Sequence, residues 1–197
     1  MIVALLRHGA TPWNEARRLQ GRADVALSPA GREQVAAWRL PPEFAAAELV
    51  SSPLARAVET ARIVAGREPA IAPDLIEMDW GAWEGETFAS LREHHAEAFA
   101  AAEARGLDFR PPRGESMREA QQRVLRWIGR IAVRPGPVVA VTHKGVLNVL
   151  VAHLTGWNAI GRSPVKLRPG TLHLFDVDAG AGLRVRAWNV ALAAGTA

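Results

Sequence analysis

Three short strand-like runs, each ending on a polar motif, constrain this chain more than any other feature. Residues 2–6 stop at Arg7-His8-Gly9, residues 48–51 at Ser52-Pro53, and residues 137–142 at His143. Runs of this length that contain β-branched residues read as buried strands. Helix signals lie between and behind them. Ser28-Pro29 offers an N-cap and a proline at the first helical position, with Val35 and Trp38 expected on the core face. Ser52-Pro53 repeats the signal and predicts a helix from Pro53 with Leu54, Val58, Ala61, Val64 and Ala65 on one side. Ser116 and Glu119 form a capping box before Met117, Ala120, Val124, Trp127, Ile128 and Ile131. Behind His143, the residues Val146, Leu147, Leu150, Val151 and Leu154 recur at helical spacing. Residues 87–106 are Ala-rich and expected to be helical, and residues 171–177 and 183–188 are expected to pair as a hairpin across 178–182.

Strands alternating with amphipathic helices predict an α/β fold with helices on both faces of the sheet. In such sheets ligands gather beyond the carboxyl ends of the strands. Arg7-His8-Gly9, the stretch 51–60 and His143 all fall there. Strand order has no mark in the sequence.

Composition removes several classes of function. Cysteine is absent, which excludes disulfide frameworks, thiolate zinc sites and cysteine nucleophiles, and fits a reducing compartment. The first apolar run has no basic segment before it and is too short for a signal peptide or membrane span. A cytoplasmic protein with no membrane partner is expected. The formal charge of +4 rests on arginine, lysine occurring only at 144 and 166. The arginines are scattered and no aromatic-basic stacking motif occurs, so no nucleic-acid partner is expected. A modest positive field suits a small anionic substrate. With 197 residues, 49% of them hydrophobic, one domain over 1–197 is expected, needing no metal to fold.

A phosphomonoester needs its charge matched, a nucleophile in line and an acid for the leaving oxygen. Arginine pairs bidentately with phosphate oxygens, and Arg7 and Arg56 each lie just beyond a strand. Asn14 adds an amide donor, and the helix expected from Pro53 adds its N-terminal N–H groups. A neutral imidazole is nucleophilic near pH 7, and His8 is the candidate. His143 is cast as a second cation or donor for the transferring phosphoryl group, and Glu77 as the proton donor that later activates water. Two arginines and a histidine supply the counter-charge, so neither metal nor other cofactor is expected. Taken singly these residues are weak signals. Arg56 alone reads as a solvated helix residue, Glu77 as a surface carboxylate, and His143 equally as structural or catalytic. Their joint placement at three strand ends carries the reading. His94 and His95 read as solvated, His153 and His173 as structural.

At these residues the sequence resembles the histidine phosphatase superfamily, the phosphoglycerate mutase-like fold. The matching segments are Leu6-Arg7-His8-Gly9-Ala10-Thr11 with Asn14, then Gln20-Gly21, Leu27-Ser28-Pro29-Ala30-Gly31, and the stretch 51–61 around Arg56. They continue with Glu77, Gly81-Ala82-Trp83-Glu84-Gly85, Gly114-Glu115-Ser116 and Val141-Thr142-His143-Lys144-Gly145. They run in family order across most of the chain. The resemblance implies a three-layer α/β/α sandwich with a mostly parallel central sheet and a helical insertion, about 87–113, near the site. It implies phosphorylation of His8, a phosphate pocket completed by Arg7, Arg56 and His143 with Asn14 assisting, Glu77 as proton donor, and Gln20-Gly21 beside the rest of the substrate.

Many relatives have Gly-Gly after the second histidine, where this chain has Lys144-Gly145. Lys144 is therefore expected to favour acidic substrates. Mutases of the family resemble one another in a basic-aromatic stretch after the catalytic Glu. Here residues 78–85 contain no Arg or Lys, and Asp79 is expected to repel phosphoglycerate. Hydrolysis of a small-molecule phosphate ester is favoured, by an enzyme like the α-ribazole or broad-specificity phosphatases. The alternatives are a mutase, or a non-catalytic phosphate- or partner-binding protein, whose mark would be a lost nucleophile, arginine or acid. Phe88, Phe99, Phe109, Arg105, Arg110 and Arg113 are candidates for the remainder of the pocket. A homodimer is left open.

Overall fold

In the computed structural model, which describes residues 1–180 and 182–194, the three strand-like runs become adjacent parallel strands. In chain order the elements are β1 (Ile2–Arg7), α1 (Pro12–Glu15), α2 (Pro29–Ala36), β2 (Trp38–Arg39), β3 (Glu48–Ser51), α3 (Ala55–Ala65), β4 (Ala70–Ile71), α4 (Phe88–His94), α5 (Ala96–Glu103), α6 (Met117–Ile131), β5 (Val138–Thr142), α7 (Lys144–Thr155), β6 (Thr171–Asp178), β7 (Gly182–Ala191) and β8 (Ala193–Ala194). The main sheet runs β4-β3-β5-β1-β6-β7, and β2 pairs with β8 apart from it. Strands β4, β3, β5 and β1 are parallel, while β6 and β7 close the edge antiparallel. Ala181, in the expected hairpin turn, and residues 195–197 lie outside the described residues.

Alternation along the central strands builds the three layers. Val3 and Leu5 of β1 pack with Val124, Ile128 and Ile131 of α6 and Val146 and Leu150 of α7. Ala4 and Leu6, pointing the other way, pack with Val35 of α2 and Ala57, Ala61 and Val64 of α3. Strand β5 is buried at all five positions, the mark of a central strand covered on both faces. The expected capping box forms at α6: Ser116 Oγ accepts the Glu119 N–H at 3.2 Å and the Glu119 carboxylate accepts the Ser116 N–H at 2.9 Å. A cap of this kind contributes about 1 kcal/mol. Among the described residues no helix is long and apolar enough to cross a membrane.

Two local expectations change. Helix α2 ends before Trp38, which lies in β2, half-buried against the α2–α3 side of the core. Helix α3 starts at Ala55, not Pro53, with Leu54 as an N-cap that makes no side-chain bond. Asp24 Oδ1 accepts the Ala55 N–H at 2.7 Å, so a distant loop caps the helix. Ser52 is drawn elsewhere by His143. The inward face of α3 is also rotated: Arg56 and Thr60 are buried beside Ala57 and Ala61, while Val58 is only half-buried.

Candidate active site

The order β3-β5-β1 brings three strand ends side by side. His8 N–H donates to Thr142 O at 3.0 Å and Ser52 N–H to Val141 O at 2.9 Å, extending the ladders just past the strands. Arg7, His8 and Arg56 thereby line the floor of a cavity of about 700 Å³, with Asn14, Gln20, Gly21, Glu77 and Lys144 on its lower walls. Of the residues expected to act on or bind the phosphate ester, all except His143 border this cavity. His143 backs the floor. It is fully buried, its ring centroid 5.1 Å from that of His8 and tilted by 57°.

The His8 ring is oriented for attack. Its Nδ1 lies 2.6 Å from Gly9 O. A carbonyl only accepts, so Nδ1 carries the proton and Nε2 keeps its lone pair. Burial first, then the charges of Arg7 and Arg56, push its pKa well below the ordinary 6.5, so the ring is neutral at pH 7. Gly9 N–H in turn donates to Thr60 Oγ1 at 3.0 Å, and Thr60 Oγ1 donates to Arg56 O at 2.7 Å. One threonine thus ties the loop that carries His8 to the helix that carries Arg56.

His143 Nε2 pairs with Ser52 Oγ at 2.7 Å, and its Nδ1 has no partner. Ser52 Oγ also accepts the Leu54 N–H at 3.4 Å. Burial, followed by the proximity of His8, Arg56 and Arg7, holds the His143 pKa well below 6.5. A neutral ring in this place suits the donor role expected for His143.

Arg56 is held by the protein on one side only. Its Nη1 donates to Ala23 O at 2.8 Å and Nη2 to Gly21 O at 2.9 Å, while Nε is unpartnered. Arg7 Nε is likewise buried without a partner. Burial lowers the pKa of both arginines, and Glu77 partly counters this. Two desolvated guanidinium groups with spare donors form an anion site.

Glu77 Oε1 accepts the Met78 N–H at 2.8 Å and Oε2 accepts the Gly145 N–H at 3.1 Å. A Cβ at position 145 would lie 2.2 Å from Oε1, so a larger residue after Lys144 would displace the Glu77 carboxylate. Asn14 Oδ1 accepts the Thr11 N–H at 3.2 Å, leaving the Asn14 amide nitrogen as a donor; Gln20 Oε1 accepts from Thr11 Oγ1 at 3.0 Å. Lys144 is exposed at the first position of α7, with its pKa lowered by burial of its amine and by Arg7, and raised by Glu77.

Above the floor the wall is aromatic. Trp80, Phe88, Phe99 and Phe109 line it and meet at centroid distances of 5.5–6.3 Å, mostly edge to face. Of the expected arginines, Arg105, Arg110 and Arg113 stay off the cavity, Arg110 pairing with Glu119 at 2.5 Å. Arg18, Arg92 and Arg162 line it instead, and no local signal marked them. Arg92 lies over the Phe99 ring at 5.2 Å and faces Glu103 at 3.4 Å. Asp79, expected to repel an acidic substrate, does not border the cavity; it accepts the Gly81 N–H and faces Arg22 at 3.4 Å. Ser52 and Thr60 were missed as functional positions because they look like ordinary cap and helix residues. His94, His95 and His153 are exposed, and His173 is buried in β6.

Known proteins share this fold. The family model of the histidine phosphatase superfamily (branch 1) matches residues 3–191. The bifunctional protein Rv2228c of Mycobacterium tuberculosis is 36% identical over 180 residues, which cover 88% of this chain and 47% of the relative. The chain thus spans about half the length of that protein. The α-ribazole phosphatase of Shigella flexneri superimposes with a TM-score of 0.79 at 29% identity, over 100% of both chains. The mycobacterial glucosyl-3-phosphoglycerate phosphatase Rv2419c, solved with VO3, gives a TM-score of 0.78 at 27% identity, covering 96% of this chain and 99% of its own. A fold of this order, with that family match across its length, makes this chain a member of the histidine phosphatase superfamily, branch 1.

Proposed function

We propose that the chain is a metal-independent phosphomonoesterase acting through a phosphohistidine on a small phosphorylated metabolite, in the manner of the α-ribazole or broad-specificity phosphatases. One observation carries this reading. The His8 imidazole, neutral and locked by Gly9 O, presents Nε2 at a floor flanked by two desolvated arginines. The Nε2–phosphorus bond forms as the phosphorus–ester oxygen bond breaks, and Glu77 supplies the leaving oxygen with its proton. Water then attacks phosphorus, returns a proton to Glu77 and releases His8. Arg7, Arg56 and the His143 ring match the charge on the phosphoryl oxygens without a cation. Asn14 adds a donor, and Gln20 and Gly21 border the leaving group.

On this reading the chain is one domain whose segment 87–113 selects the substrate, and the absence of cysteine fits a cytoplasmic setting. Because Asp79 does not border the cavity, charge repulsion does not bar phosphoglycerate, and the mutase reading stays as the competitor. Phosphate release from a panel of monoesters in EDTA, with 3-phosphoglycerate isomerisation followed alongside, separates the two. Hydrolysis that survives EDTA, with ³²P trapped on the chain and lost in His8→Ala, is expected. Isomerisation without net phosphate release would replace the hydrolase reading.

A further inference from the structure

The loop 20–24 contributes no catalytic group, yet it holds the Arg56 region at three points. Gly21 O and Ala23 O accept from the two Nη atoms at 2.9 and 2.8 Å, and Asp24 Oδ1 accepts the N–H of Ala55, one residue before Arg56. A guanidinium fork tied through two carbonyls takes its direction from them, so its remaining donors point wherever the loop dictates.

One carboxylate accepts from the backbone of that loop at two successive residues, while the Arg22 side chain faces Asp79 at 3.4 Å and Glu115 at 3.6 Å. Glu84 Oε1 accepts the Arg22 N–H at 2.5 Å and Oε2 accepts the Ala23 N–H at 2.9 Å. It lies so close beneath the chain that a Cβ at Gly21 would be 1.9 Å from Oε1, and Gly21 has a φ of +52°. Glu84 itself is anchored by its neighbours: Gly85 N–H donates to Leu19 O, and Leu19 N–H to Glu86 O, both at 2.8 Å. It does not border the cavity.

We propose that Glu84 is the positioning residue for Arg56, acting through the Gly21 and Ala23 carbonyls and touching no substrate. The inference rests on the reading above in one respect, that Arg56 grips the phosphate. Without the carboxylate, the Arg22 N–H loses its acceptor, the Ala23 N–H keeps only Gln20 O at 3.0 Å, and the two carbonyls that aim Arg56 lose a support. Displacement of a binding group by about 1 Å costs on the order of 10²-fold in rate.

The test is a double-mutant cycle. Glu84→Ala and Glu84→Gln are made in the native and Arg56→Ala backgrounds. Turnover of p-nitrophenyl phosphate and the Kd for inorganic phosphate, by ³¹P NMR, are measured beside thermal unfolding. In the native background Glu84→Ala should cut kcat/KM on the order of 10²-fold and weaken phosphate about 10-fold. In Arg56→Ala both losses should shrink to within about 3-fold. Glu84→Gln keeps one acceptor oxygen and should fall between. Gly21→Ala, which pushes the loop off the carboxylate without removing charge, should reproduce Glu84→Ala. Equal losses in both backgrounds would overturn the proposal, as would a loss that varies with the leaving group. Should Glu84→Ala fail to fold, Glu84→Gln and Gly21→Ala complete the same cycle under the same criterion. Failure of the phosphatase reading shows separately, as absence of turnover in the native chain, and the phosphate affinities still decide the role of Glu84.

Discussion

The floor and the canopy of the cavity are built by different forces. On the floor, between the ends of β1, β3 and β5, nearly every functional side chain has a second, directional partner: His8 on Gly9 O, His143 on Ser52, Arg56 on two carbonyls, Glu77 on two N–H groups. The canopy of α4, α5 and the Trp80–Trp83 turn is joined chiefly by aromatic contact, with Arg92 laid over Phe88 and Phe99. Hydrogen bonds fix a group to a few tenths of an ångström, which phosphoryl transfer requires. Apolar contact is non-directional and tolerates changed shapes. On the proposed function, chemistry is held by the first and recognition by the second.

Variants can break this division or sharpen it. The largest effect is expected on the floor. His8→Ala should reduce kcat by at least about 10⁴-fold, read as loss of trapped ³²P, because the proposed mechanism forms its covalent intermediate on that ring. The largest effect in the canopy should fall on stability instead. Phe99 is almost fully buried, and Phe99→Ala should cost about 3–5 kcal/mol in denaturant unfolding, while its kcat on a small ester below the midpoint should stay near native. A collapse of that kcat would merge the two regions. Gly145→Ala places a methyl group against Glu77 Oε1 and should lower kcat about 10²-fold with little change in stability.

Acid should act on the floor. His8 and His143 are buried neutral on the floor, with pKa values well below 6.5, and His173 beneath them is lowered by burial to about 4. The unfolded chain protonates these rings near 6.5 and the folded chain does not. Stability is therefore full above that pH and falls as pH drops below it, by up to about 1.4 kcal/mol per unit for each ring. For His173 the loss should continue to about pH 4. Hydrogen exchange at pH 5.5 should therefore quicken around the strand ends that carry His8 and His143. The smallest effect is expected at Lys144, an exposed lysine between Arg7 and Glu77. Lys144→Gly should weaken acidic esters a few-fold, on the order of 1 kcal/mol, and leave neutral esters unchanged. Uniform kinetics would remove its role in selection.

Much of this was legible from residues alone, for a physical reason. Strand runs, capping boxes and helical stripes are signals between neighbours a few positions apart, so Glu48–Ser51, Val138–Thr142 and the Ser116 cap could be placed directly. Chemistry at strand ends was likewise readable, because arginine, histidine and carboxylate keep their properties wherever they sit. The exceptions follow from distant partners. The expected cap at Ser52 gave way because His143, 91 residues away, takes its hydroxyl, and Asp24 caps α3 from 31 residues upstream. Arg110 was lost to Glu119, and Arg18, Arg92 and Arg162 reached the cavity with no pattern to announce them. Residue type and local spacing determined which chemistry this protein carries. Strand order, the aim of each arginine and the tie from Glu84 to Arg56 were decided only by tertiary structure, since they depend on contacts between residues tens of positions apart.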